Sequence, residues 1–149
     1  MKQRHTGSRR IAAAAGCAIA IAGLVSVSAK VDDDKKARPS ITVRSNPQGG
    51  FSPLRVVLTA EIKGGADDFE EYYCPSIEWN WDDGTKSESK GDCDPYEPGK
   101  SEIKRRYTID RVYQIGGEYN IEFRLKQKNK TVGMGKTLLR IRPGVRDPG

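Results

Sequence analysis

The sequence predicts an all-β fold, a two-sheet sandwich of seven antiparallel strands, and three observations support this prediction. Residues 77–82 alternate apolar and polar side chains, and residues 118–126 repeat that alternation. A period of two, carried by aromatic and β-branched residues, is typical of strands with one buried face. No segment after residue 29 has the apolar period of an amphipathic helix, so helices contribute little to the expected fold.

Residues 1–29 are interpreted as a signal peptide. Four basic residues precede an apolar run over 11–27, and Val27-Ser28-Ala29 fits a small-x-small cleavage pattern. The pattern therefore indicates export to the periplasm, the cell surface or the medium. An uncleaved N-terminal anchor is the alternative, and in that case this segment would be the only contact with a membrane. Arg9 and Arg10 leave twin-arginine export open beside the general route.

Loss of that segment changes the charge balance of the chain. The 149 residues include 26 Lys and Arg against 20 Asp and Glu, a net charge of +6. All four charges in residues 1–29 are basic, so the remaining chain carries +2. Much of the basic character thus belongs to the export segment, and we expect no nucleic-acid partner.

The remaining charges fall into two blocks. Residues 61–97 are mostly acidic, and residues 98–146 are mostly basic. Such blocks either form an electrostatic dipole or neutralise each other on neighbouring strands.

Two cysteines remain once Cys17 leaves with the signal peptide. In an exported protein, Cys74 and Cys93 predict a disulfide. Closing the loop of about 18 residues between them should stabilise the fold by roughly 3 kcal/mol. A metal site is not expected from these thiols, because the single histidine, His5, also lies in the export segment.

The elements of the mature chain follow in order. Residues 30–39 are charged and predict a flexible linker, residues 40–142 form the sandwich, and residues 143–149 are expected to be a disordered tail. Strands are predicted at 40–44, 54–62, 76–82, 103–109 (an edge strand), 118–126 and 132–141. Turns or irregular segments are predicted at 46–50, 63–71, 88–100 and 127–130.

Three motifs resemble the PKD (polycystic kidney disease) domain family. Trp79-Asn80-Trp81-Asp82-Asp83-Gly84-Thr85 resembles its Trp-Asp-Phe-Gly-Asp-Gly-Ser/Thr motif, and Ser52-Pro53-Leu54-Arg55-Val56 resembles its Pro-Leu-x-Val entry to the second strand. Arg111-Val112-Tyr113 followed by Gly117-Glu118-Tyr119-Asn120-Ile121 resembles its His-x-Tyr and Gly-x-Tyr-x-Val run. The residues that carry the fold signature are Trp79, Trp81, Asp83, Gly84, Tyr113, Gly117 and Tyr119.

The resemblance covers about residues 40–142 and has identifiable departures. Asn80, Trp81, Asp82 and Arg111 replace the residues that the family usually has, and the two cysteines are additions. The resemblance implies an immunoglobulin-like β-sandwich of the kind found in surface proteins and beside secreted bacterial hydrolases. It implies adhesion, contact or spacing, and it supplies no catalytic residues.

Several side chains are candidates for a contact surface. Trp79 and Trp81 share one face of their strand and are interpreted as core. Tyrosines near the cysteines either form an exposed surface or pack over the bridge: Tyr72, Tyr73 and Tyr96. Basic residues are expected at outward positions of neighbouring strands, where they either meet an anionic partner or protect sheet edges: Lys104, Arg106, Arg124 and Lys126.

Catalysis and cofactor binding are not expected. Without a mature histidine or a free thiol, Ser–His–Asp and Cys–His arrangements are excluded. The acids of 67–71, 82–83 and 92–94 include possible Ca²⁺ ligands, but they lack EF-hand spacing and are equally consistent with a solvated acidic rim.

The sequence therefore predicts an exported, noncatalytic PKD-like module. We expect it to mediate extracellular contact or adhesion with a protein or polysaccharide at a bacterial cell surface. The alternative is a structural or assembly subunit that self-associates through edge strands or charged faces.

Overall fold

The computed structural model describes residues 37–144, and the predicted signal peptide lies outside this range. In chain order, the described strands are β1 (Ser40–Asn46), β2 (Gly49–Phe51), β3 (Leu54–Lys63), β4 (Ser76–Asn80), β5 (Lys86–Lys90), β6 (Arg106–Tyr113), β7 (Gly117–Gln127) and β8 (Lys130–Arg142). A single 3₁₀ turn covers Glu70–Tyr72 between β3 and β4.

The strands form two sheets of unequal width. One sheet has the order β1-β3-β6, and the other has the order β2-β8-β7-β4-β5. The predicted all-β, immunoglobulin-like sandwich is thereby confirmed, and β6 is an edge strand as expected.

The described residues contain eight strands, whereas a seven-stranded sandwich was predicted and six of its strands were located in the sequence. Strand β2 lies where a turn was expected, because the chain leaves β1 and pairs in parallel with β8 of the other sheet. Strand β5 was missed because its sequence, Lys-Ser-Glu-Ser-Lys, contains no apolar residue, and only its backbone pairing with β4 defines it. The remaining neighbouring strands are antiparallel.

Alternation along the longest strands builds the core. The predicted inner face of β3 is buried from Val56 to Ile62, and Leu54 at its start is half-buried. Opposite it, apolar side chains of the five-stranded sheet are buried to 4% exposure or less: Trp79, Ile121, Phe123, Leu125, Leu139 and Ile141. Transfer of these side chains out of water is the main favourable contribution to folding.

One side of the sandwich is closed by a close approach of β1 to β8. An added Cβ at Gly135 would lie 2.9 Å from methyl groups of both Ile41 and Val43. Only a residue without a side chain fits there, so β1 packs directly on the backbone of β8.

The domain begins before the predicted boundary at residue 40. Pro39 is buried, its carbonyl accepts a hydrogen bond from the Tyr72 hydroxyl at 3.2 Å, and the Arg38 guanidinium lies 5.7 Å from the Tyr72 ring centroid. At the other end, the Gly144 N–H donates to the Ser52 hydroxyl at 3.0 Å. Pro39 and Gly144 therefore contact the sandwich at the two ends of the described residues.

Candidate functional site

The tryptophan pair belongs to the core. Trp79 and Trp81 are 2% and 1% exposed, and their rings stack at 5.7 Å with an interplanar angle of 8°. Trp79 also contacts Phe123 at a ring distance of 4.7 Å, and the Trp81 indole N–H donates to the Ser87 hydroxyl at 2.9 Å. Both rings are buried and in contact with other side chains, so neither presents a face on which a sugar could stack.

Asp83 and Gly84 shape the turn between β4 and β5. Gly84 has a φ of 83°, a left-handed conformation that suits glycine. The Asp83 carboxylate accepts hydrogen bonds from the Thr85 N–H at 3.0 Å and the Thr85 hydroxyl at 2.6 Å. Burial acts to raise the pKa of Asp83, but these bonds and the neighbouring Arg111 outweigh it and hold the pKa below its usual range.

Arg111 joins this turn to the opposite sheet. Its guanidinium pairs with Asp83, donates to the Thr85 hydroxyl at 2.7 Å and lies 4.6 Å from the Trp81 ring centroid. Beside it, the Tyr113 hydroxyl donates to the Trp81 carbonyl at 3.2 Å. Asp83, Thr85, Trp81, Arg111 and Tyr113 therefore form a clamp between β6 and the β4–β5 turn, and these contacts are structural.

The last two motif positions lie at the start of β7. Gly117 is the first residue of that strand, and Tyr119 packs on Tyr113 at a ring distance of 4.3 Å. The Tyr119 hydroxyl donates to the Ile115 carbonyl at 2.8 Å, which fixes the preceding loop.

The predicted disulfide is present. Cys74 and Cys93 are bonded, with their Cα atoms 6.1 Å apart, and they join the segment before β4 to the segment after β5. Nearby, the Tyr73 and Tyr96 rings contact at 5.5 Å, and their hydroxyls donate to backbone carbonyls of Asp94 at 3.0 Å and Asp68 at 2.7 Å. Tyr72 is only 2% exposed, so it packs in the core and offers little surface to a partner.

The predicted basic residues do not lie on neighbouring strands. Lys104 and Arg106 belong to the segment around β6, whereas Arg124 and Lys126 lie on β7 of the other sheet. The prediction of adjacent strands was wrong because consecutive strands β6 and β7 cross from one sheet to the other. Arg106 is moreover paired with Glu61 at 2.6 Å.

Arg124 and Lys126 surround a buried acid that the sequence placed on the solvent side. Glu78 is 4% exposed and pairs with Arg124 at 2.9 Å and Lys126 at 3.0 Å. Hydrogen bonding to Lys126 lowers the pKa of Glu78 to about 2, against the opposing effect of burial. The pairing extends to Glu88, 3.1 Å from Lys126, so these two cations are already neutralised on the sheet surface.

The structure offers little for a metal or a membrane within the described residues. Between residues 37 and 144, no three His, Cys, Asp or Glu side chains converge in a way that would hold a metal ion. Over the same residues, no helix has the length and apolar character needed to span a bilayer.

The side of the sandwich opposite β1 is open. There β5 and β6 end their sheets without pairing to each other, and the inward positions of β5 are the small polar residues Ser87 and Ser89. Apolar surface from both sheets therefore stays uncovered between the two edges. The result is a groove of about 310 Å³, lined by Ile77, Trp79, Ser87, Glu88, Ser89, Lys104, Tyr107, Thr108 and Ile109.

This groove continues toward the disulfide. A second cavity of about 200 Å³ shares Ile77, Ser89, Lys104 and Tyr107 with the first and reaches the two cysteines. An apolar floor with a few polar groups at the rim is typical of binding sites in proteins. Of the residues that line the groove, the sequence predicted Lys104 as a possible contact, and the polar composition of residues 86–90 was the local signal of the open side.

Comparisons with known proteins find similar chains among solved structures. No protein-family model and no curated protein matches the sequence. Among solved structures, the PKD domain of an M14-like peptidase from a Thermoplasmatales archaeon is 12% identical, with a TM-score of 0.49, covering 70% of this chain and 97% of that one. A CARDB domain from Pyrococcus furiosus, solved in complex with di-metal ions, is 8% identical, with a TM-score of 0.44, covering 74% and 97%.

A membrane anchored protein from Corynebacterium diphtheriae is also similar. It is 10% identical with a TM-score of 0.48, and the match covers 73% of this chain but 22% of that one. At such identities the similarity concerns the fold alone. The two-sheet architecture is that of the predicted immunoglobulin-like β-sandwich, and the Trp79–Thr85 segment, which resembles the PKD motif, forms the end of β4 and the turn that follows it.

Proposed function

We propose that this chain is an exported, noncatalytic module that contacts a partner outside the cell through the open side of its sandwich. The observation that carries the proposal is the groove between β5 and β6, where Ile77 and Ile109 are only partly buried and the buried Tyr107 forms part of the lining. A surface that leaves core side chains accessible is suited to burying a partner's apolar groups.

A protein partner fits this groove better than a polysaccharide does. Sugar-binding surfaces present aromatic faces, but Trp79 and Trp81 are buried and stacked on each other. The disulfide supports the extracellular location, because such bonds persist in oxidising compartments.

Binding of the full exported chain to the envelope of the producing cells tests this proposal. Ser89 lines both cavities, so Ser89→Trp places an indole in the groove. We expect at least tenfold weaker binding for this variant. Thr131→Trp adds the same ring at an exposed position of β8 that lines neither cavity, and it should bind like the wild type.

Treatment of the envelope material separates the two partner classes. Loss of binding after proteolysis supports a protein partner, and binding that survives proteolysis but not periodate oxidation supports a polysaccharide. Equal binding of wild type and Ser89→Trp would overturn the groove as the contact site.

Self-association is the second candidate, favoured by the unpaired edges of β5 and β6. Sedimentation equilibrium distinguishes it. An assembly role predicts a mass that rises with concentration and returns to the monomer in Ser89→Trp, whereas a contact module stays monomeric in both forms.

A further inference from the structure

We infer that the partner of this groove is an extended peptide strand that pairs with the free edge of β6, and that it carries alternating apolar side chains with a carboxylate at the disulfide end. This inference rests on the proposed function and specifies how the groove is filled. Strand addition to an exposed sheet edge is a general mode of peptide recognition, in which backbone hydrogen bonds supply affinity and side-chain pockets supply specificity.

The backbone of β6 has unpaired groups at the groove. The Ile62 N–H donates to the Arg105 carbonyl at 2.8 Å, so these two residues form a hydrogen-bonded pair. In the ladder that follows, Ala60 lies opposite Tyr107 and Leu58 lies opposite Ile109. In an antiparallel ladder, hydrogen-bonded pairs alternate with non-hydrogen-bonded pairs. Odd-numbered residues of β6 therefore bond to β3, and the N–H and C=O groups of even-numbered residues point to the free edge: Arg106, Thr108, Asp110 and Val112.

The space beside β6 has the position of a missing strand. The strands β6, β7 and β8 are the last three of the domain, so β6 takes the place of strand E of a constant-type immunoglobulin sandwich. In that sandwich the ABED sheet has a fourth strand beside E, whereas β6 ends the three-stranded sheet β1-β3-β6. Residues 91–105, which connect β5 to β6, form no strand. A fourth strand along β6 would cover Ile77 and the edge of Trp79, which now form the groove floor.

The rim of the groove favours a carboxylate near the disulfide. Lys104 lines both cavities, its ammonium lies 5.1 Å from the Tyr107 ring centroid, and it makes no ion pair with any residue of 37–144. Lys90 lines the second cavity and is likewise unpaired over those residues. Of the two acids at the rim, Glu88 is already bound to Lys126, which leaves Glu102 alone against the two lysines.

A library of random ten-residue peptides displayed on phage, selected on the full exported chain, is the probe for this proposal. We expect enriched sequences to alternate apolar residues and to contain Asp or Glu toward one end. Thr108→Pro removes an N–H that faces the free edge while leaving the bonds to β3, and it should weaken binding of a selected peptide at least tenfold. Lys104→Glu should remove the preference for the acidic residue.

The control is the same substitution on the other free edge. The Trp81 N–H donates to the Thr85 carbonyl, so by the same alternation Lys86 also directs its backbone outward from β5. Lys86→Pro should leave binding within twofold of the wild type. Amide hydrogen exchange gives a readout that needs no substitution, because bound peptide should slow exchange at Thr108 and Asp110.

Three outcomes would overturn strand addition to β6. They are recovery of no peptide, equal binding by Thr108→Pro, and protection that appears at Glu88 of β5 while β6 is unchanged. In each case a tenfold loss of envelope binding in Ser89→Trp would still leave the proposed function standing, so the two failures are distinguishable.

Discussion

Glu78 shows how side chains of neighbouring strands can bury a charge on the outer face of a sheet. Its strand position faces away from the core, yet its side chain is 5% exposed because Arg124 and Lys126 lie across it. The hydrogen bond to Lys126 at 3.0 Å, together with the charges of Lys126 and Lys86, favours the ionised carboxylate more than burial disfavours it, which is why the pKa of Glu78 falls to about 2.

The lowered pKa of Glu78 makes stability depend on acid pH. An unfolded glutamate titrates near its ordinary value of 4.5 and the folded one near 2, so the stabilisation is complete above 4.5 and is lost as pH falls toward 2. We expect on the order of 3 kcal/mol between these limits, measured by urea unfolding at a series of pH values. Glu78→Gln should be less stable at pH 7 by about 2–4 kcal/mol, and its free energy of unfolding should fall less as the pH is lowered. An equal loss of unfolding free energy on acidification in both proteins would contradict this assignment.

Arg111 is expected to stabilise the clamp through its planar shape as well as its charge. Arg111→Lys keeps a cation near Asp83 but loses the stacking on Trp81 and the second hydrogen bond, to Thr85. Loss of both should lower the free energy of unfolding by about 1–2 kcal/mol. Arg55→Lys is the matched control, because the Arg55–Asp110 pair is exposed and should contribute less than about 0.5 kcal/mol. Equal effects of the two substitutions would show that the clamp adds nothing beyond a surface ion pair.

At the scale of elements, predictability followed the strength of the local alternation. Strands β3, β7 and β8 carry long alternating patterns, and the sequence placed them within a few residues of their observed bounds. Strand β5 has no apolar residue, so the alternation of apolar and polar side chains could not predict it. Its pairing depends on β4 and on the Asp83-Gly84 turn, which is information that residues 86–90 do not contain.

The contact between β1 and β8 gives a test at this scale. Replacing glycine by alanine within a strand normally adds stability, because glycine loses more backbone entropy on folding. At Gly135 the sign should reverse, since the new Cβ would also lie 3.0 Å from the Ile41 carbonyl oxygen. We expect Gly135→Ala to cost about 2–3 kcal/mol in thermal or urea unfolding. Met134→Ala, at an exposed neighbouring position, should change stability by less than about 0.5 kcal/mol, and a stabilised Gly135→Ala would show that the two strands separate easily.

At the scale of the whole molecule, the two charge blocks neutralise each other. Arg106 pairs with Glu61, Arg105 with Asp67 at 2.7 Å and Arg124 with Glu78, and each pair joins the acidic block to the basic one. Of the two arrangements that the sequence left open, the structure thus has neighbouring charges that cancel. The cancellation depends on which strands become neighbours, so residue order alone could not decide it.

The groove is also a property of the whole molecule, because it arises from the unequal widths of two sheets. No motif encodes it. Ile77 and Trp79 come from one sheet, and Tyr107 and Ile109 come from the other. The small side chains of Ser87 and Ser89 leave Ile77 and Ile109 only partly buried between them. The sequence identified the residues that define the fold. Of the groove residues, it predicted Lys104 as a possible contact, Trp79 as core and Ser89 as part of an irregular segment, so it did not bring them together as one site.

A groove kept open for a partner should lower the stability of the free domain. Ser89→Trp fills it with an indole that packs on Ile77 and Tyr107. The same substitution that weakens binding should therefore raise the free energy of unfolding by about 1 kcal/mol. Urea unfolding of Ser89→Trp and of the Thr131→Trp control measures this difference. The free energy of unfolding of the control should equal that of the wild type. A destabilised Ser89→Trp would show that the groove is too narrow for an added side chain, and the same result would weigh against insertion of a strand. Greater stability together with lost binding is the combination expected of apolar surface left uncovered for a partner.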